Sequence, residues 1–89
     1  MKLTIKLFPP YRKQGESGEY QLHLKQHRLN LEQLAFYLFR EWSDKFDFPL
    51  IDSRRLLTAE FMVNGKHVSL NYFLQDGDQV SVIPYLCGG

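Results

Sequence analysis

The chain has 89 residues, with 11 Lys and Arg against 10 Asp and Glu, a formal net charge of +1, 44% hydrophobic and 15% aromatic residues, the composition of one small soluble domain. A chain of this size buries roughly 60–65% of its unfolded surface, enough for one sheet-and-helix core and too little for a deep two-lobed cleft, which argues against an enzyme with a large enclosed site. The near-balanced charge carries no footprint for nucleic acid or for an acidic membrane, so the expected partner is a protein.

Lys2 to Phe8 alternates, with Leu3, Ile5 and Leu7 on one face and Lys2, Thr4, Lys6 and Phe8 on the other, which predicts a half-buried strand stopped by Pro9-Pro10. Tyr11 to Gly18 is polar, after which Tyr20, Leu22 and Leu24 alternate with Gln21, His23 and Lys25. The two runs are therefore expected to pair antiparallel across a long loop. Asn30 has the side chain of a helix N-cap, Gln33 stands at the reciprocal capping-box position, and Leu29 and Leu34 are spaced as a hydrophobic staple. The helix is expected from Leu31 to about Phe46, with Leu31, Leu34, Ala35, Leu38 and Trp42 facing inward and Phe36, Tyr37 and Phe39 widening that stripe. Asp47 to Thr58 contains Pro49 and shows neither period, so it reads as a connection whose Leu50, Ile51, Leu56 and Leu57 close one end of the core.

Asn64-Gly65 between Phe61-Met62-Val63 and Lys66-His67-Val68 predicts a type I′ hairpin, because both turn positions need positive φ. That register pairs Phe61 with Val68, facing inward, and Met62 with His67, facing away from the helix. Asp76-Gly77-Asp78 then turns into a last strand, Gln79 to Pro84, with Val80 and Val82 toward the core and Ser81 and Ile83 outward. Strands, helix and strands around one core make an α+β roll, a mixed sheet of about five strands with one main helix across one face. Residues 1–84 form that domain and 85–89 a C-terminal tail, with no internal repeat or linker.

The single cysteine cannot form an internal disulfide, no apolar run approaches the ~20 residues of a membrane span, and the first residues alternate as a strand in place of a signal peptide. A cytoplasmic location is the default expectation. Gly88-Gly89 directly follows a strand, where folding does not ask for glycine. Lacking Cβ, such a terminus can lie extended in a tunnel too narrow for other residues and present its carboxylate to a second protein's active site. Small residues also end ordinary frayed chains, so the dipeptide alone is a short motif. An exposed Cys87 thiolate can form a mixed disulfide or a thioester-like relay with the terminal carboxyl group of Gly89 if a partner activates it, the simpler alternative being a bystander thiol.

His23 and His27 are spaced as a helical metal pair, but the first falls in a strand pattern and the second in the connection after it, so both read as solvated. Arg54-Arg55, Lys2 and Lys6 read as a solvated face, with steering of the tail toward an acidic groove as the alternative. Phe8, Met62, Ile83 and Tyr85 are expected to project from the sheet face opposite the helix, near the exit of the tail. Together with His67 and Leu86 they form the candidate partner-binding surface.

Val63-Asn64-Gly65-Lys66-His67-Val68, then Leu74-Gln75-Asp76-Gly77-Asp78-Gln79-Val80, Pro84 and Gly88-Gly89 resemble the small-subunit family of molybdopterin synthase and the thiamine sulfur carriers (MoaD/ThiS). Leu7-Phe8 near the end of the first strand matches too, while Pro9-Pro10 and Asp47 to Thr58 match less well. The resemblance implies the ubiquitin-like β-grasp fold with the first and last strands central and parallel. It implies that Gly89 is adenylated by a separate ATP- and magnesium-using enzyme of the ubiquitin-activating type, after which a persulfide sulfur donor displaces AMP to leave a thiocarboxylate. Gly88 then serves tail threading, and no family role attaches to the position of Cys87. This chain has no Gly-x-x-x-x-Gly-Lys-Ser/Thr loop and no metal-ligand cluster, so the nucleotide and its metal are expected on the partner, with no cofactor bound here. Gly89 is then a co-substrate more than a catalyst. The implied acceptor is the larger subunit of a molybdopterin synthase. Thiamine or tRNA thiolation, or conjugation of Gly89 to lysines as a ubiquitin-like modifier, are the alternatives.

Overall fold

The alternation at the start of the chain becomes β1 (Lys2–Leu7) in a computed structural model that describes residues 1–85. Leu3, Ile5 and Leu7 are buried, as a strand with one face on the core requires. β2 (Glu19–His23) returns antiparallel, with Leu3 opposite Leu22 and Ile5 opposite Tyr20. After α1 (Leu31–Glu41) come β3 (Ala59–Val63), β4 (Lys66–His67) and β5 (Gln79–Pro84). The sheet has five strands in the order β2-β1-β5-β3-β4. β1 and β5 are parallel at its centre, Ile5 beside Val80 and Leu7 beside Val82, and β5 pairs antiparallel with β3 on its other side.

The capping box at α1 forms as its residues dictate. The Asn30 side chain accepts from the Gln33 backbone N–H at 2.8 Å, and the Gln33 side chain accepts from the Asn30 N–H at 2.9 Å. The next free donors, Leu31 and Glu32 N–H, are taken by the carbonyls of Tyr72 and Leu70, each at 2.9 Å, so the segment before β5 satisfies the helix's orphan groups. Leu31, Leu34, Ala35 and Leu38 are buried against the sheet, and Trp42 closes the stripe.

The helix ends at Glu41, short of Phe46. Trp42 N–H still donates to Leu38, but a 3-10 turn over Ser43–Lys45 follows. Ser and Asp compete for the backbone with their own oxygens and are weak helix formers, and Phe46 is drawn instead toward Tyr11, edge-to-face at 6.2 Å. Tyr11 is itself a correction, since this first residue of the expected polar loop is only 1% exposed. Its hydroxyl pairs with Thr58 Oγ1 at 3.0 Å, and burial raises its pKa, with the Thr58 bond working against that shift. Phe36 and Phe39 do not widen the core stripe but stand exposed, and only Tyr37 of that trio packs against the core. In the connection, Leu50 and Ile51 are buried and Leu57 is half-buried, while Leu56 is 54% exposed. Ile51 and Leu57 bridge across that loop, so adjacent Leu56 is turned outward.

Candidate functional site

The hairpin residues and the Asp-Gly-Asp turn assemble a frame at the start of β5. Asn64 and Gly65 adopt φ values of 53° and 82°, the left-handed conformation that the type I′ turn demands. Met62 faces His67 across it and Val63 faces Lys66; β4 ends there, and Val68 packs against the core beyond the strand. The Asn64 side chain accepts from Gln79 N–H at 2.9 Å and donates to the Asp78 carboxylate at 2.9 Å. The other Asp78 oxygen accepts from Gln75 N–H at 2.8 Å. Asp76 accepts from the Lys2 N–H at 2.6 Å, and Gly77 N–H donates to the Lys2 carbonyl at 2.7 Å. The polar residues of the two motifs therefore clamp β5 to β1 and to the hairpin. They are architectural.

At the other end of β5, Pro84 stands opposite Ala59 and Ile83 opposite Glu60. Phe8 N–H donates to the Val82 carbonyl at 3.1 Å, carrying the β1 register one residue further, and the Phe8 ring is exposed. Met62 and Ile83 are half-buried and His67 is exposed. Because their strand neighbours Phe61, Val63 and Val82 are buried, alternation places Phe8, Met62 and Ile83 on the face away from α1. That face is mixed. Glu60 lies across from Ile83, Ser81 lies across from Met62 and beside Lys6, and Lys6 reaches Glu19 at 3.7 Å. Glu60 escaped the sequence reading because its place in the patch depends on the cross-strand register.

Tyr85 stands at the margin between the two faces. It lines one groove with Glu32 and Phe36 of α1 and with Leu57 and Leu70, and a second with Glu60, Phe61, His67 and Val68. It stands past the last residue of β5, where strand alternation no longer dictates which way a side chain points. Leu86, Cys87, Gly88 and Gly89 lie outside the described residues.

Among the described residues, no group of three or more His, Cys, Asp or Glu could hold a metal ion, and no buried side-chain nitrogen or oxygen lacks a hydrogen-bond partner. His23 lies in exposed positions of β2, and His27 in the connection before α1. Asp52, in the β3-proximal loop, is held below the ordinary carboxylate value chiefly by the Leu56 N–H, which outweighs the opposing effect of desolvation, with the Arg54 guanidinium and N–H adding to the lowering. No helix among the described residues is long and apolar enough to cross a membrane.

Comparison with solved structures places this scaffold among known proteins. The structure of SAMP1 from Haloferax volcanii superposes with a TM-score of 0.77 over 100% of both chains at 15% sequence identity. The complex of subunits 1 and 2 of the molybdopterin-converting factor from Helicobacter pylori gives a TM-score of 0.62 over 100% of both chains at 21% identity. The putative molybdopterin converting factor subunit 1 from Pyrococcus furiosus gives 0.66 over 93% of this chain and 95% of that one, at 26% identity. No curated protein sequence matches. The fold is the ubiquitin-like β-grasp. The model of the ThiS family matches residues 31–89, which takes in α1, the hairpin, the Asp-Gly-Asp turn, β5 and Gly88-Gly89, and the chain belongs to that family.

Proposed function

We propose that this chain is a sulfur carrier of the molybdopterin-synthase small-subunit type, with Gly89 as the group that carries the payload. The observation that carries the reading is the match to the ThiS family through Gly88-Gly89, on a fold that anchors β5, the strand leading to those glycines, at the centre of the sheet. A carboxylate is a poor acyl donor at neutral pH, because its charge repels nucleophiles and oxide is a poor leaving group. ATP held by a partner adenylyltransferase converts the Gly89 carboxylate to an acyl-adenylate and releases pyrophosphate. The terminal sulfur of a persulfide donor attacks the acyl carbon and AMP leaves. A thiol then cleaves the sulfur–sulfur bond, so that the thiocarboxylate stays on Gly89 and the donor leaves as a disulfide.

Gly88 threads the tail through a narrow passage, and Cys87 is a bystander or a relay thiol. Phe8, Met62, His67 and Ile83 contact the larger synthase subunit, and Leu86 extends that contact along the tail. The converting-factor complex from Helicobacter pylori and the Pyrococcus furiosus subunit 1 support this partner. Intact mass of the protein purified from its native host tests the reading. The expected product has one terminal oxygen replaced by sulfur. A covalent adduct to a second protein would replace this reading with that of a ubiquitin-like modifier, and an unmodified chain throughout would make the Gly-Gly incidental.

A further inference from the structure

Eight large hydrophobic side chains are exposed among the described residues, and four of them, Phe36, Leu56, Leu70 and Tyr85, line one open groove of about 370 Å³ on the helix side. Singly exposed apolar residues are ordinary, whereas a contiguous set on a small domain marks a contact surface. Phe8, on the other face, has only half-buried Met62 and Ile83 for company.

Both walls of the groove are tied down by hydrogen bonds. On the loop side, Asp52 accepts from Arg54 N–H at 2.8 Å and from Leu56 N–H at 3.1 Å, and its second oxygen takes the Arg54 guanidinium at 3.0 Å. These bonds hold Arg55 at a φ of 65°, a conformation that persists in a side-chain-bearing residue only where its surroundings over-determine it. The outcome is a loop that keeps Leu56 pointing out. On the helix side, Phe36 stands one turn after Glu32, whose N–H is bound by the Leu70 carbonyl at 2.9 Å. Surfaces held in place before binding lose little freedom when a partner arrives.

Charge and reach bear on the occupant. Arg54 is paired with Asp52, whereas Arg55 and Glu32, which both line the groove, make no ion pair among the described residues, so the groove offers one charge of each sign. Gly89 stands four residues beyond Tyr85, so even at full extension the two are at most about 14 Å apart. Any enzyme that holds the Gly89 carboxylate in its active site must therefore come close to Tyr85 and the two grooves it borders, of which the helix-side one gathers four exposed apolar side chains. We propose that this groove is the docking surface for the enzyme that adenylates Gly89, which seats apolar side chains between Phe36 and Leu70 and sets a carboxylate against Arg55. The assignment rests on the sulfur-carrier reading and adds to the open sheet face a second contact on the opposite side of β5.

The test is ATP–pyrophosphate exchange by the host's adenylating enzyme, with the full chain as the varied substrate. Arg55→Glu and Leu56→Ser should each raise KM for the chain roughly tenfold or more with kcat retained, and Arg55→Lys should recover most of the loss. Melting temperatures should stay near that of the wild type, because both side chains are exposed; Phe36→Ser on the helix wall repeats the test independently of the loop. Wild-type KM in all these variants, or a loss confined to kcat, would overturn the groove assignment while leaving the carrier reading intact. A wild-type chain that supports no exchange would overturn the carrier reading and the groove with it. Self-association of the wild type that Leu56→Ser abolishes would assign the groove to a second copy instead.

Discussion

Asp78 is a carboxylate only 7% exposed, and burial of a charged group is tolerated where donors surround it. Its donors are the Gln75 N–H and the Asn64 side-chain amide, one from its own turn and one from the hairpin. Asn64 is committed twice over, since its backbone supplies the first left-handed residue of the turn and its side-chain oxygen accepts from Gln79. Asp78→Ala removes the shared acceptor and strands both donors, which should destabilise the fold by about 2–3 kcal/mol. For a domain of this size that is a fall in Tm of roughly 10–20 °C. Asp78→Asn keeps one acceptor oxygen and should fall between the two. Thermal unfolding of the three proteins followed by circular dichroism checks the order, and an unchanged Tm in Asp78→Ala would mean that the clamp contributes nothing. Gly18 makes the companion point about close approach. It has a φ of 75°, and a Cβ there would lie 2.6 Å from the Leu7 carbonyl oxygen, so β1 and the loop entering β2 can meet only at glycine.

The strands and the helix start were legible because each carries a local periodic or capping signal. Leu3, Ile5 and Leu7 alternate, Asn30 and Gln33 cap each other, and Asn64-Gly65 leaves few alternatives for its turn. What was not legible depends on contacts distant in sequence. The helix stops before Phe46 because that ring and the chain at Arg12 meet across the fold, and Tyr11 is buried because Thr58, far along the chain, supplies a partner for its hydroxyl. Leu56 faces out through the Asp52 turn, a geometry invisible to hydropathy. In β5 the alternation is decisive and can be tested. Val82 is fully buried opposite Phe61, whereas Ile83 is half-buried opposite Glu60. Val82→Ala should cost about 2 kcal/mol through lost burial and a residual cavity, with partner binding reduced only as a consequence. On the carrier reading, Ile83→Asp should leave the domain folded and weaken binding to the larger subunit by placing an unpaired charge in an apolar contact. Collapse of Ile83→Asp beside a harmless Val82→Ala would mean that the register is displaced by one residue.

At the scale of the whole molecule, the carrier reading assigns stability and chemistry to separate parts of the chain. Every buried core residue described lies between Leu3 and Val82, and β1 and β3 hold β5, the last strand, from its two sides. Under the carrier reading, a partner can then pull on Gly88-Gly89 without straining an edge of the fold. Substitution of Gly88 by Val keeps the terminal carboxylate and adds a branched side chain where a narrow passage must grip the backbone, so adenylation should fall steeply at an unchanged Tm. Addition of one residue after Gly89 should have the same pair of effects for a different reason, because it moves the reacting carboxylate by a full residue, and displacement on the scale of an ångström already removes much of the advantage of positioning. Both proteins are compared with the wild type by ATP–pyrophosphate exchange and by thermal melting. Normal exchange by the extended chain would show that the activating enzyme does not use the carboxylate of Gly89, and that the glycines serve as spacer instead of substrate.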